Sequence, residues 1–174
     1  MALYALGSDE PRIHPSAFVH PDAVVIGSVV IGAESTVWPG AVLRGDHGGR
    51  IEVGARTSIQ DGTVLHTTEQ WPTIIGSECV LGHNTHLEGC VVENRCLVGS
   101  GSITLNRAVV RTGAVVGAAA LIPEDFEIPS HTMALGVPAR IRPVRMDPEW
   151  IDFAVKSYVE AGARYRSELR RIDS

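Results

Sequence analysis

An aliphatic residue recurs at every sixth position over most of the stretch from Ile13 to Ile128, and a small residue follows it four places later. Ile13-His-Pro-Ser-Ala17, Val19-His-Pro-Asp-Ala23, Val25-Ile-Gly-Ser-Val29, Ile31-Gly-Ala-Glu-Ser35 and Val37-Trp-Pro-Gly-Ala41 succeed one another without a slip. Hexapeptide repeats of this kind build a parallel β-helix. Each hexad is one short strand and a corner, and three hexads close a triangular coil, so about 18 residues climb one strand spacing of ~4.8 Å. The aliphatic residue points inward, and the fifth residue must be small because it sits inside a corner. The register continues at Val53, Ile59, Leu65, Ile75, Leu81, Leu87, Val92, Val98, Val110, Val116, Ile122 and Ile128. The corner slots hold Thr57, Thr63, Cys79, Thr85, Val91, Cys96, Ser102, Ala108, Ala114 and Ala120. Only 5% of residues are aromatic, so Val, Ile, Leu and Ala must build the core, while 18 glycines and 10 prolines suit many tight corners. The predicted fold is mainly β, a single-stranded parallel β-helix shaped as a triangular prism over residues 1–145.

A chain of 174 residues is long enough for one domain with a real core. The net charge of −5 argues against a nucleic-acid surface. No stretch approaches the ~18 consecutive apolar residues of a membrane helix. The N-terminus lacks a basic-then-apolar leader. The expectation is a cytoplasmic protein without nucleic-acid or membrane partners. Cys79, Cys90 and Cys96 are odd in number and form no Cys-x-x-Cys pair, so reduced thiols are expected, with Cys79 and Cys96 as small buried fillers.

The repeat ends near Val137-Pro138. Asp147-Pro148 then reads as an N-cap and first helical residue. Ile151, Val155, Tyr158, Gly162, Tyr165, Leu169 and Ile172 recur at alternating spacings of four and three, one apolar stripe on a helix. Residues 146–174 are therefore predicted as a C-terminal α-helix lying along the prism or on a neighbouring subunit, its aromatic residues used for packing.

Two hexads are too long. Leu43 to Val53 and Leu65 to Ile75 each span ten residues, with extra residues around Asp46-His-Gly-Gly-Arg50 and Thr67-Thr-Glu-Gln-Trp71. The coil there lengthens to 22 residues, which stacks Arg44, His66 and Glu88 as outward residues of one column. Asp61 and His83 are likewise 22 apart and stack on a different face. His66 and Glu88, about 5 Å apart, could share one metal. His83 reaches the same point only from a neighbouring prism, so the spacing predicts a site shared between subunits. His86 ends its hexad and is expected at a corner.

Val37-Trp-Pro-Gly-Ala-Val-Leu-Arg-Gly-Asp46, Ile59-Gln-Asp-Gly62 running on to His66, and Gly82-His83 through Gly89-Cys90 resemble the γ-class carbonic anhydrase family. The resemblance covers nearly the whole chain, including Leu135-Gly-Val-Pro138 and the terminal helix. It implies a left-handed coil and a homotrimer with a metal, zinc or else iron or cobalt, at each interface. It implies metal ligands His66, His83 and Glu88. Glu88 is a departure, because the family has a His-Gly-Cys triplet where this chain has Glu88-Gly89-Cys90. Ser58 replaces the family's asparagine before Ile-Gln-Asp-Gly. Gln60 and Asp61 resemble catalytic residues that orient water or bicarbonate, and Arg44 and Asp46 resemble an interface ion pair.

The expected reaction is reversible hydration of CO2 to bicarbonate by metal-activated water. A carboxylate in the donor set adds negative charge, which makes the metal a weaker Lewis acid than three histidines would. Two alternatives stand beside it: an acyl-CoA-dependent transferase or thioesterase, and a non-catalytic trimeric scaffold or small-molecule binding protein.

Overall fold

The computed structural model describes residues 2–142 and 147–173. The chain winds as a left-handed parallel β-helix of about seven turns followed by one helix. Each face of the prism is one sheet. The first face stacks Ala2–Tyr4, Val24–Gly27, Val42–Gly45, Val64–His66, His86–Glu88, Ile103–Thr104 and Leu121–Ile122. The second stacks Arg12–Ile13, Val29–Ile31, Ile51–Val53, Thr73–Ile75, Val91–Val92, Val109–Val110 and Glu127–Ile128. The third runs from Phe18–Val19 through Thr36–Val37, Ser58–Ile59, Val80–Leu81, Leu97–Val98 and Val115–Val116 to Met133–Gly136, with Ala139–Arg142 folding back antiparallel as its last strand. The strands are two to four residues long because a hexad leaves no more between corners.

The aliphatic columns fill the interior: Val25, Leu43, Leu65 and Leu87 stack fully buried behind the first face. Thr104 takes the next inward slot, between Leu87 and Ile122. It is fully buried, and its hydroxyl has no hydrogen-bond partner among the described residues.

One corner differs from the sequence reading. Leu87 to Val92 is a step of five, so the corner arrives one residue early. Gly89 turns it at φ +57°, Cys90 fills the buried slot, and Val91 pairs with Ile74 on the second face instead. All three cysteines are therefore free, buried fillers. Desolvation pushes the Cys90 thiol up to about 12, which leaves it neutral and unreactive.

Corner residues adopt left-handed backbone, and their side chains form charge columns outside. Glu34, Arg56, Glu78 and Arg95 alternate in sign, linked at 3.3, 3.2 and 3.3 Å, and Arg95 reaches Asp152 on the helix at 2.6 Å. Arg111 similarly bridges Glu93 and Glu127.

The helix, Pro148–Glu168, is capped by the Asp147 carboxylate, which accepts from the Glu149 amide at 3.0 Å. It runs down the third face of its own prism. Ile151 and Val155 pack on Val80 and Leu97. Tyr165 stacks edge-on against Trp38 and Phe18 at 5.0 and 5.7 Å. The stripe read from the sequence outruns the helix: Leu169 and Ile172 lie past its end and are 45% and 82% exposed. The expected boundary between 145 and 146 falls outside the described residues. No helix among the described residues is long and apolar enough to cross a membrane.

Candidate functional site

The two four-residue insertions lie at the same edge of the prism, between the first and second faces. Gly49 of the first bulge rests on the second. A Cβ there would sit 2.7 Å from the Thr68 carbonyl oxygen, so only glycine permits the approach. This edge carries the outward column. His66 pairs in register with Arg44 on one side and Glu88 on the other.

The His66 ring lies between two carboxylates. Its Nε2 is 3.1 Å from Asp46 Oδ1, where it donates. Its Nδ1 is 3.6 Å from Glu88 Oε1, too long for a hydrogen bond. Arg44 pairs with the other oxygen of Asp46, so this ion pair, expected across an interface, already closes within one protomer. Desolvation pushes the Asp46 carboxyl upward, but hydrogen bonds from Arg44 and His66, with the charges of Arg44 and His47, outweigh it and hold the group below its ordinary value. His47, in the first bulge, approaches His66 edge-on with ring centroids 5.4 Å apart.

His86 is placed differently from the sequence expectation. It lies within the strand His86–Glu88, two residues before Glu88 and hence on the same outward side, and its Nε2 donates to Glu88 Oε2 at 3.3 Å. The last residue of a hexad opens the strand rather than the corner, as Val24, Val42 and Val64 do on this face, and His86 continues that column.

His83, Asp61 and Gln60 stand elsewhere, at the third face. His83 Nδ1 donates to Asp61 Oδ2 at 2.9 Å, and both side chains are about half exposed. Gln60 is buried and donates through Nε2 to Ser58 Oγ at 2.6 Å. Ser58 belongs to a buried polar ladder with Thr36 Oγ1 and Trp38 Nε1, both at 2.9 Å. Gln60 and His83 also line a cavity of about 370 Å³ under the N-terminal half of the helix, walled by Val80, Leu97, Phe153 and Tyr158. The seven residues expected to cooperate thus split into an Arg44–Asp46–His66–Glu88 group and a Gln60–Asp61–His83 group on separate faces of one chain.

The bacterial transferase hexapeptide model, of six repeats, matches residues 10–45. The carnitine operon protein CaiE of Escherichia coli is 37% identical over 171 residues, spanning 97% of this chain and 87% of its own. The chain belongs to the hexapeptide-repeat family. Solved hexapeptide-repeat structures superpose over almost the full length. A Bacillus cereus protein provisionally called an acetyltransferase is 32% identical with a TM-score of 0.92, and a hexapeptide transferase family protein from Anaplasma phagocytophilum is 33% identical with a TM-score of 0.89. Each alignment covers 97% of this chain and 98% of the other.

The trio Asp46, His47 and His66 brings three potential ligand atoms within 4.8 Å of one another. His47 lies in the first bulge, outside the hexapeptide register, so counting along the chain assigns it no neighbour.

Proposed function

We propose that this hexapeptide-repeat protein forms a homotrimer that binds a divalent metal, zinc first among iron and cobalt, and catalyses the reversible hydration of CO2. The metal would lie between His66 and Glu88 of one protomer and His83 of the next. The observation that carries this reading is that both histidines have one ring nitrogen committed to a carboxylate of the preceding coil. His66 is held by Asp46 at 3.1 Å and His83 by Asp61 at 2.9 Å. Such outer carboxylates fix the tautomer and turn the other nitrogen outward as a lone pair. Two imidazoles and a carboxylate are a ligand set used by zinc hydrolases, so the residues present fit the metal.

A divalent metal there would supply the Lewis acidity that brings the pKa of water toward neutrality. The chain's own residues do the rest. Gln60 spends its amide nitrogen on Ser58, leaving its carboxamide oxygen to accept a hydrogen bond from water. Asp61 keeps His83 oriented. His86, beside Glu88 and partly exposed, is placed to take the proton released when CO2 and water become bicarbonate. Glu88 lowers the electrophilicity of the site relative to a third histidine. Stopped-flow hydration by protein loaded with zinc, or with iron(II) without oxygen, tests the reading, and a rate no higher than background refutes it. Glu88→His should raise the rate.

A second reading, acyl transfer or thioester hydrolysis, draws on the apolar cavity beside His83 and on the transferase names of the two superposed structures. Turnover of acyl-CoAs with no CO2 hydration would favour it.

A further inference from the structure

We propose that Asp46, His47 and His66 form a second cation position, complete within one protomer, that takes a zinc-like divalent transition metal. It lies on the opposite side of the His66 ring from Glu88 and needs neither Glu88 as ligand nor His83 of a neighbour. The two positions share His66 and are filled one at a time, but the inner one stands whether or not the interface reading holds.

The donor atoms of the trio already lie within 4.8 Å of one another. His47 and His66 meet edge-on, at 72° between ring planes, so their nitrogens approach without the rings stacking. Arg44 holds one Asp46 oxygen, which leaves the other turned to His66. Two imidazoles with one carboxylate leave an open fourth position on a tetrahedral metal. Imidazole donors select zinc, copper, nickel or iron over calcium and magnesium. On binding, the metal replaces the Nε2 proton of His66, and Nδ1 carries the proton instead. That nitrogen faces Glu88 across 3.6 Å, where the carboxylate becomes the outer partner that orients a ligating imidazole. The loop is also braced. Gly49 seats the first bulge on the second, so His47 rides on a supported turn.

The test uses the full-length protein in a His83→Ala background, which deprives the interface position of a ligand. Zinc affinity is measured by competition with a chromophoric chelator, and cobalt(II) absorption reports nitrogen ligation. His83→Ala should still bind one zinc per chain. Adding His47→Ala, or the bulkier His47→Gln, should weaken binding ~10-fold or more, the scale seen even for outer partners, and abolish the cobalt spectrum. His47 is exposed in a bulge, so these variants leave the core intact. The inference is overturned if the double variant binds as tightly as His83→Ala alone. It is equally overturned if His83→Ala binds no zinc. In that case zinc binding by the wild type leaves the interface reading standing, and no binding by either removes both.

Discussion

Thr104 occupies a slot that every neighbouring coil gives to an aliphatic side chain. Its hydroxyl is buried between Leu87 and Ile122 without a partner among the described residues. An unsatisfied buried hydroxyl costs about 1–3 kcal/mol, and valine has the same β-branched shape without it. Thr104→Val should therefore stabilise the protein by ~1 kcal/mol, read as a raised denaturation midpoint with unchanged slope; a lower midpoint would mean that the hydroxyl has a partner. At this scale the sequence was legible wherever the period held. Counting by 22 placed Arg44, His66 and Glu88 opposite one another and Asp61 opposite His83, as the strand register has them. It was not legible where the period broke. The five-residue step after Leu87 moved the corner from Val91 to Cys90. The four-residue insertion hid His47, because a residue outside the register has no neighbour that counting can assign.

The helix is held by the shape of the third face more than by charge. At Gly162 the helix backbone lies close against that face, and an added Cβ would collide with the Thr36 methyl. Thr36 cannot turn aside without loss, since its hydroxyl is tied to both Ser58 and Trp38. Gly162→Ala would gain ~1 kcal/mol of helix propensity but should lose about 1–3 kcal/mol to overpacking. We expect earlier melting and faster proteolysis within 147–173, and the same substitution combined with Thr36→Ser should recover most of the loss. The stripe of apolar residues announced this helix and its docked face, but not its end. No Gly or Pro marks the stop. The helix ends just past Tyr165, which packs on Phe18 of the lowest strand of the third face, and beyond that strand the described residues leave Leu169 partly and Ile172 largely exposed.

Across the whole molecule, carboxylates are tied to arginines in columns that run over several coils. Glu93 is held low by hydrogen bonds from Arg111 and from the Thr112 backbone, Glu127 by Arg111 and Asp125 by Arg107, while in Asp46 the hydrogen bonds overcome an opposing desolvation. A carboxylate whose folded pKa is depressed adds stability that is complete above its unfolded value of about 4 and is lost as the pH falls through the lower folded value. Melting temperature should therefore stay flat from neutrality down to about pH 4.5 and drop below about 4, and salt should shrink the drop because the columns are exposed. Assembly is the other property of this scale. The γ-carbonic-anhydrase-like expectation of a shared site meets a single chain in which His66 and His83 stand on different faces, each with its own carboxylate. If the site is shared, His66→Ala and His83→Ala protomers are each inactive alone yet carry complementary halves. Unfolding them together and refolding the mixture should restore one intact interface in every mixed trimer, and with it hydration above the mean of the parents. Parents refolded separately and then mixed should show no gain, which separates exchange of subunits from simple addition. A co-refolded mixture that stays at the mean of its parents would place both histidines in service of their own chain, and would leave the Asp46–His47–His66 edge as the remaining metal position of the molecule.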